Sequence, residues 1–129
     1  MTSRFQGVRD FESGREQRRS PRVDVMRRVN GVLAAVDTPI LVHDLSRTGF
    51  AVVSRIIFSR GETLEFLLVA DNGPEVRVTA RAIHTRPFEG KPDLYLSGFE
   101  FVPGGVSGFV PHALIDRLID AVKPPVSQF

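Results

Sequence analysis

Two clusters of side chains in this chain have the types and spacing to hold an anion. Arg18-Arg19-Ser20-Pro21-Arg22 reads RxxxR, and Asp44-Leu45-Ser46-Arg47-Thr48-Gly49 reads DxSxxG. Arginine offers a planar fork of N–H donors that fits phosphate oxygens and also the acceptors along a purine edge. An aspartate supplies the complementary acceptor, and a serine hydroxyl can donate to either kind of group. Each pattern alone carries little. RxxxR recurs at Arg15–Arg19 and at Arg77–Arg81. DxSxxG is also what a tight turn needs, because Asp and Ser bond their own backbone and Gly adopts conformations closed to other residues.

The charge distribution agrees with an anionic partner. Residues 1–28 hold eight arginines against four acids, whereas residues 29–129 hold nine basic and eleven acidic residues, so the positive surplus sits at the start. Such a segment suits a nucleotide, a nucleic acid, a membrane surface or an acidic protein face. Other chemistries find less support. The chain has no cysteine, hence no disulfide framework and no thiol nucleophile, which suits a reducing cytoplasm. His43, His84 and His112 lack partners at metal-ligand spacing, so neither a metal nor a cofactor is expected. His43-Asp44-Leu45-Ser46 contains the letters of a catalytic triad. Neighbours on a strand point to opposite faces, however, and there is no nucleophile elbow, so the expectation is a binding protein and not an enzyme. Gly104-Gly105-Val106-Ser107-Gly108 lacks the Walker lysine and reads as a hinge.

The elements that must position these residues are mostly strands. Residues 1–17 are polar, with isolated apolar positions, and read as a flexible basic arm. A strand is expected within Val23–Val36, then short apolar runs at Ile40–His43 and Phe50–Val53, with the DxSxxG turn between them. Glu62–Val69 places Leu64, Phe66 and Leu68 on one face. Val76, Val78, Ala80 and Ala82 alternate with Arg77, Thr79 and Arg81, the period of a half-buried antiparallel strand. Leu94–Val102 is the last strand. The period then changes: Leu114, Ile115, Leu118, Ile119 and Val122 fall on one helical face after Pro111, with Phe109 and Val110 tethering its start, and Pro124-Pro125 stops the helix. Six short antiparallel strands with one C-terminal helix point to a closed barrel, since closure removes exposed edges. No window approaches ~20 apolar residues, so no membrane span is expected.

The two motifs in this order, ahead of alternating strands, resemble the PilZ family of cyclic di-GMP receptors. The resemblance runs from Gln17 to Val102. It includes the Gly61-Glu62 turn that opens a long apolar strand, and Gly98-Phe99-Glu100-Phe101, which looks like the family's closing Gly-x-x-Phe strand. It implies a mainly β fold, a six-stranded antiparallel barrel with a C-terminal helix over residues 18–123, flanked by the arm 1–17 and a loose tail 124–129. It implies that Arg18, Arg22, Asp44, Ser46 and Gly49 bind cyclic di-GMP. Arg19 could reach the second phosphate or point to solvent, and Gln17 and Gly98 are further candidate contacts. The family's stacked ligand pair is favoured by an arginine just before RxxxR. Gln17 stands there in this chain, which leans towards one ligand per domain. The implied role is a cytoplasmic receptor whose arm changes conformation on binding and which signals to a protein partner in motility, exopolysaccharide or virulence machinery. Two alternatives stay open: a PilZ-like module that binds only protein, and a small basic nucleic-acid-binding barrel. The second is disfavoured because the phenylalanines sit at core-like positions with no basic-aromatic stripe.

Overall fold

The structure is a computed structural model and describes residues 22–25, 28–71, 73–105 and 108–122. Seven strands are formed: β1 Val23–Asp24, β2 Val29–Leu33, β3 Thr38–Leu45, β4 Gly49–Ser54, β5 Thr63–Ala70, β6 Glu75–Pro87 and β7 Tyr95–Val102. A single helical turn, Ala34–Val36, joins β2 to β3, and helix α1 covers His112–Val122. All pairings are antiparallel. The order β3-β2-β5-β6-β7-β4 returns to β3 through the β3–β4 pairing, so six strands close a barrel, and β1 lies beside the far end of β3.

The strand expected within Val23–Val36 is split in two. The N–H groups of Arg28 and Val29 both donate to the Val25 carbonyl, at 2.8 and 3.1 Å, while Val25 N–H donates to the His43 carbonyl at 3.1 Å. This single turn lets Val25 and Val29 both face the core, where each is fully buried. The other strands follow the polar/apolar alternation. Val76, Val78, Ala80 and Ala82 are buried while Arg77 and Arg81 are exposed, because cross-strand partners share a face and the inner face is dry.

Phenylalanines fill the barrel. Phe99 stacks on Phe50 at 5.3 Å and meets Phe66 and Phe58 edge-on at 4.9 and 5.0 Å. Helix α1 packs on β5 and β6 and adds Ile115, Leu118, Ile119 and Val122 to the same core. Two polar contacts fix it: Arg28 donates to the Val122 carbonyl at 2.8 Å, satisfying one of the helix's last acceptors, and Arg47 pairs with Asp116 at 2.6 Å. Two expectations for the helix fail. Leu114 is 42% exposed, since at about 100° per residue it lies near the margin of the buried stripe. Phe109 is 74% exposed, and only Val110 packs against the core at the helix start. Among the described residues no helix is long and apolar enough to cross a membrane.

Candidate functional site

The site begins with an irregularity in β3. The β3–β4 register pairs Val42 with Val52 and then Asp44 with Ala51, so His43 is an extra residue, a β-bulge. The expectation that His43 and Asp44 face opposite sides is therefore wrong here. Their side chains meet, with His43 Nδ1 donating to Asp44 Oδ2 at 2.9 Å. The other carboxylate oxygen, Oδ1, accepts from Arg22 at 2.6 Å. The second arginine of RxxxR and the aspartate of DxSxxG are thus in direct contact, and the Asp44 side chain retains only 18% of its exposure.

These contacts set the electrostatics. Burial, the largest influence on Asp44, pushes its carboxyl upward, but the His43 hydrogen bond and the Arg22 charge and hydrogen bond together hold it below the usual carboxylate value. His43 is raised, chiefly by the hydrogen bond to Asp44, against burial, with the charges of Asp44 and Asp24 raising it further and Arg22 opposing.

Ser46 and Gly49 serve the turn that follows. Ser46 N–H donates to the Gly49 carbonyl at 2.8 Å, Thr48 N–H donates to Ser46 Oγ at 3.2 Å, and Ser46 is 1% exposed. The Ser46 hydroxyl also meets Thr48 Oγ1 at 3.2 Å and the Gly49 carbonyl at 3.3 Å. A Cβ on Gly49 would lie 2.1 Å from the Phe99 carbonyl oxygen, so the close approach this glycine permits is that of strand β7.

The register of the barrel shows what lies beside Asp44. Asp44 pairs with Ala51, Ala51 with Gly98 and Gly98 with His84, giving one row across β3, β4, β7 and β6. At the usual inter-strand spacing this row is about 14 Å long. The adjacent row is Leu41, Val53, Leu96 and Arg86. Phe50, Val52 and Phe99 point inward and are buried, so these two rows form the outer face. The face has a floor of small and aliphatic residues, with Arg22, His43 and Asp44 at one side and His84 and Arg86 at the other. Between them His43, Arg86, Pro87, Phe88, Glu89 and Leu96 line a pocket of about 500 Å³, within the size range of small-ligand sites. Phe88 presents its ring edge-on to His43 at a centroid distance of 5.9 Å.

Of the residues expected from sequence, Arg22, Asp44, Ser46, Gly49 and Gly98 fall on this face or in its turn. A Cβ on Gly98 would lie 2.9 Å from the His84 ring, so the missing side chain makes room for that imidazole, which lies over this part of the floor. Arg18, Arg19 and Gln17 lie outside the described residues. The expectation missed His43, Arg86, Phe88 and Leu96. A second bulge at Ile83 reverses the face of every later residue of β6, and no sequence pattern announces it. Among the described residues no cluster of three His, Cys, Asp or Glu could hold a metal ion.

The fold and this face define a closed β-barrel whose outer surface carries the Arg22–Asp44–His43 cluster beside a pocket. The chain belongs to the PilZ domain family, whose match covers residues 16–120. No curated protein matches the sequence. Solved structures share the fold, among them these three. The Bacillus subtilis inhibitor of motility MotI/DgrA superposes with a TM-score of 0.63 at 17% identity, over 81% of this chain and 50% of that one. YcgR from Escherichia coli in complex with c-di-GMP gives 0.62 at 14% identity, over 81% and 45%. The isolated PilZ domain of YcgR with c-di-GMP gives 0.60 at 14% identity, over 82% and 91%. The chain therefore spans about half the length of the first two and most of the isolated domain.

Proposed function

We propose that this protein is a receptor for cyclic di-GMP. The observation that carries the reading is the meeting of Arg22 and Asp44 at the edge of the small-residue floor, where a flat base can lie. Asp44 suits the N1–H and N2–H donors of guanine, and an arginine fork suits its O6 and N7 or a phosphate oxygen. Arg18 and Arg19 stand next along the chain for the phosphates, and Ser46 and Gly49 shape the turn beneath. Membership of the PilZ family and two relatives solved with c-di-GMP support the same reading. In this proposal the ligand draws the segment carrying Arg18, Arg19 and Arg22 over the outer face, and the altered surface is read by a protein partner.

The test is calorimetric titration with cyclic di-GMP, with cyclic di-AMP and GTP as controls. Saturable, guanine-selective binding that is lost in Arg22→Ala is expected, and a stoichiometry of one agrees with Gln17 at the position before the motif. Absence of heat at millimolar ligand overturns the proposal.

A further inference from the structure

Both oxygens of the Asp44 carboxylate are already occupied, one by Arg22 and the other by His43. A carboxylate can accept more than one bond per oxygen. The Asp44 side chain is only 18% exposed, though, with Arg22 at 2.6 Å on one oxygen and His43 at 2.9 Å on the other. A guanine that addresses Asp44 through two donors must therefore take the place of one present partner. Arg22 is itself suited to the ligand and has reason to stay. His43 has somewhere to go: its ring borders the pocket of about 500 Å³ formed with Arg86, Phe88, Glu89 and Leu96.

We infer that His43 is a positioning residue that competes with the ligand for Asp44, so that releasing the His43–Asp44 hydrogen bond is part of every binding event. The inference rests on the receptor reading above. It makes affinity depend on the charge of His43. As an imidazolium, His43 adds the attraction of a full positive charge to the hydrogen bond that a neutral imidazole N–H already makes to the Asp44 carboxylate. Its pKa in the free protein is raised, first by that bond, so the ligand that breaks the bond lowers the pKa and expels protons. The other charged groups facing His43 are Arg22 and Asp24 from the segment beside β3, Asp44 from its own strand, and Arg86 and Glu89 across the pocket. Asp44 is held below the usual carboxylate value, and burial lowers Arg86 from its ordinary one. Leu41, Val53 and Leu96, on the strands alongside, do not titrate.

The experiment is titration of the full chain with cyclic di-GMP at pH 5.5, 6.5 and 7.5, in buffers of different ionisation enthalpy, for wild type, His43→Phe and His43→Gln. Wild type should bind several-fold more weakly at pH 5.5 than at 7.5 and release protons at the middle pH. His43→Phe removes the competitor and should bind more tightly than wild type at pH 5.5 with a flat profile. His43→Gln keeps a neutral donor and should also be flat, with an affinity between the two. The imidazole resonances of wild type give a measurement that needs no variant: ligand should lower the pKa of His43. Binding whose pH profile survives His43→Phe, a variant weakened at acid pH, or a His43 pKa raised by ligand overturns the inference while leaving the receptor reading in place. No binding at any pH overturns both.

Discussion

Gly49 separates two explanations of the DxSxxG motif. As a ligand-approach residue it should tolerate alanine in the free protein and lose only affinity. In this barrel a methyl group at position 49 would sit 2.1 Å from the Phe99 carbonyl oxygen and 3.1 Å from the Cα of Glu100. Both are backbone atoms of the strand that pairs with β4 through six consecutive residues, Gly49↔Glu100 to Ser54↔Tyr95. A normal contact at ~3.4 Å requires the two strands to part by more than ~1 Å, and no side-chain rotation relieves it. Overpacking a well-filled site usually costs 1–3 kcal/mol. A backbone clash that also stretches ladder bonds belongs at the upper end, about 3 kcal/mol, or a fall in melting temperature of roughly 10 °C for a domain this size. Gly98→Ala is the control. Its Cβ would have three atoms of the His84 ring as nearest neighbours, the first at 2.9 Å, and an exposed side chain can move, so the cost should be about 1 kcal/mol or less. Urea unfolding followed by circular dichroism, with ligand titration of each variant, measures both. A Gly49→Ala protein within ~0.5 kcal/mol of wild type that has lost ligand affinity would refute the packing argument.

Further outcomes are expected. Arg22→Ala should remove most cyclic di-GMP affinity by calorimetry and, in the free protein, raise the Asp44 pKa, since the Arg22 charge and hydrogen bond both lower it. The free protein should lose a little stability as pH rises from about 6.5 through the folded pKa of His43. A raised histidine contributes fully below its unfolded value and nothing above its folded one, so His43→Phe should abolish that slope in pH-dependent urea melts. At the acid end, the depressed Asp44 contributes above its unfolded value and is lost as pH falls through its folded one, so Asp44→Asn should be relatively less harmful at pH 3 than at pH 5. Phe99→Ala, which empties the centre of the aromatic cluster, should cost about 3–5 kcal/mol. Arg47→Ala should shift stability by less than ~0.5 kcal/mol, because that ion pair is half exposed.

Sequence periodicity located all six strands of the barrel and the helix, because alternation and helical spacing are imposed by one shared core. Val76 to Ala82 is the clearest case, where each second residue is buried. It did not locate the breaks in that pattern. The turn at Val25 and the bulges at His43 and Ile83 are each built from backbone bonds or register shifts, and each changes which side chains share a face. Those breaks bring His43 onto Asp44 and turn Arg86 towards the pocket. Arg22 and Asp44 were legible as candidates through spacing and resemblance, but their mutual contact was not, since it depends on β1 lying beside the end of β3.

The ring of six strands has a consequence for how any partner could engage this protein. Each of the six has a neighbour on both sides, and among the described strands only the two-residue β1 has one alone. Among the described strands a visiting chain finds little unpaired ladder to extend: the edge of β1, and the end of β6 past Ala82, which β5 does not reach. Over the rest of the barrel recognition reads contour and charge, and the β1 edge adjoins the arginine that grips Asp44.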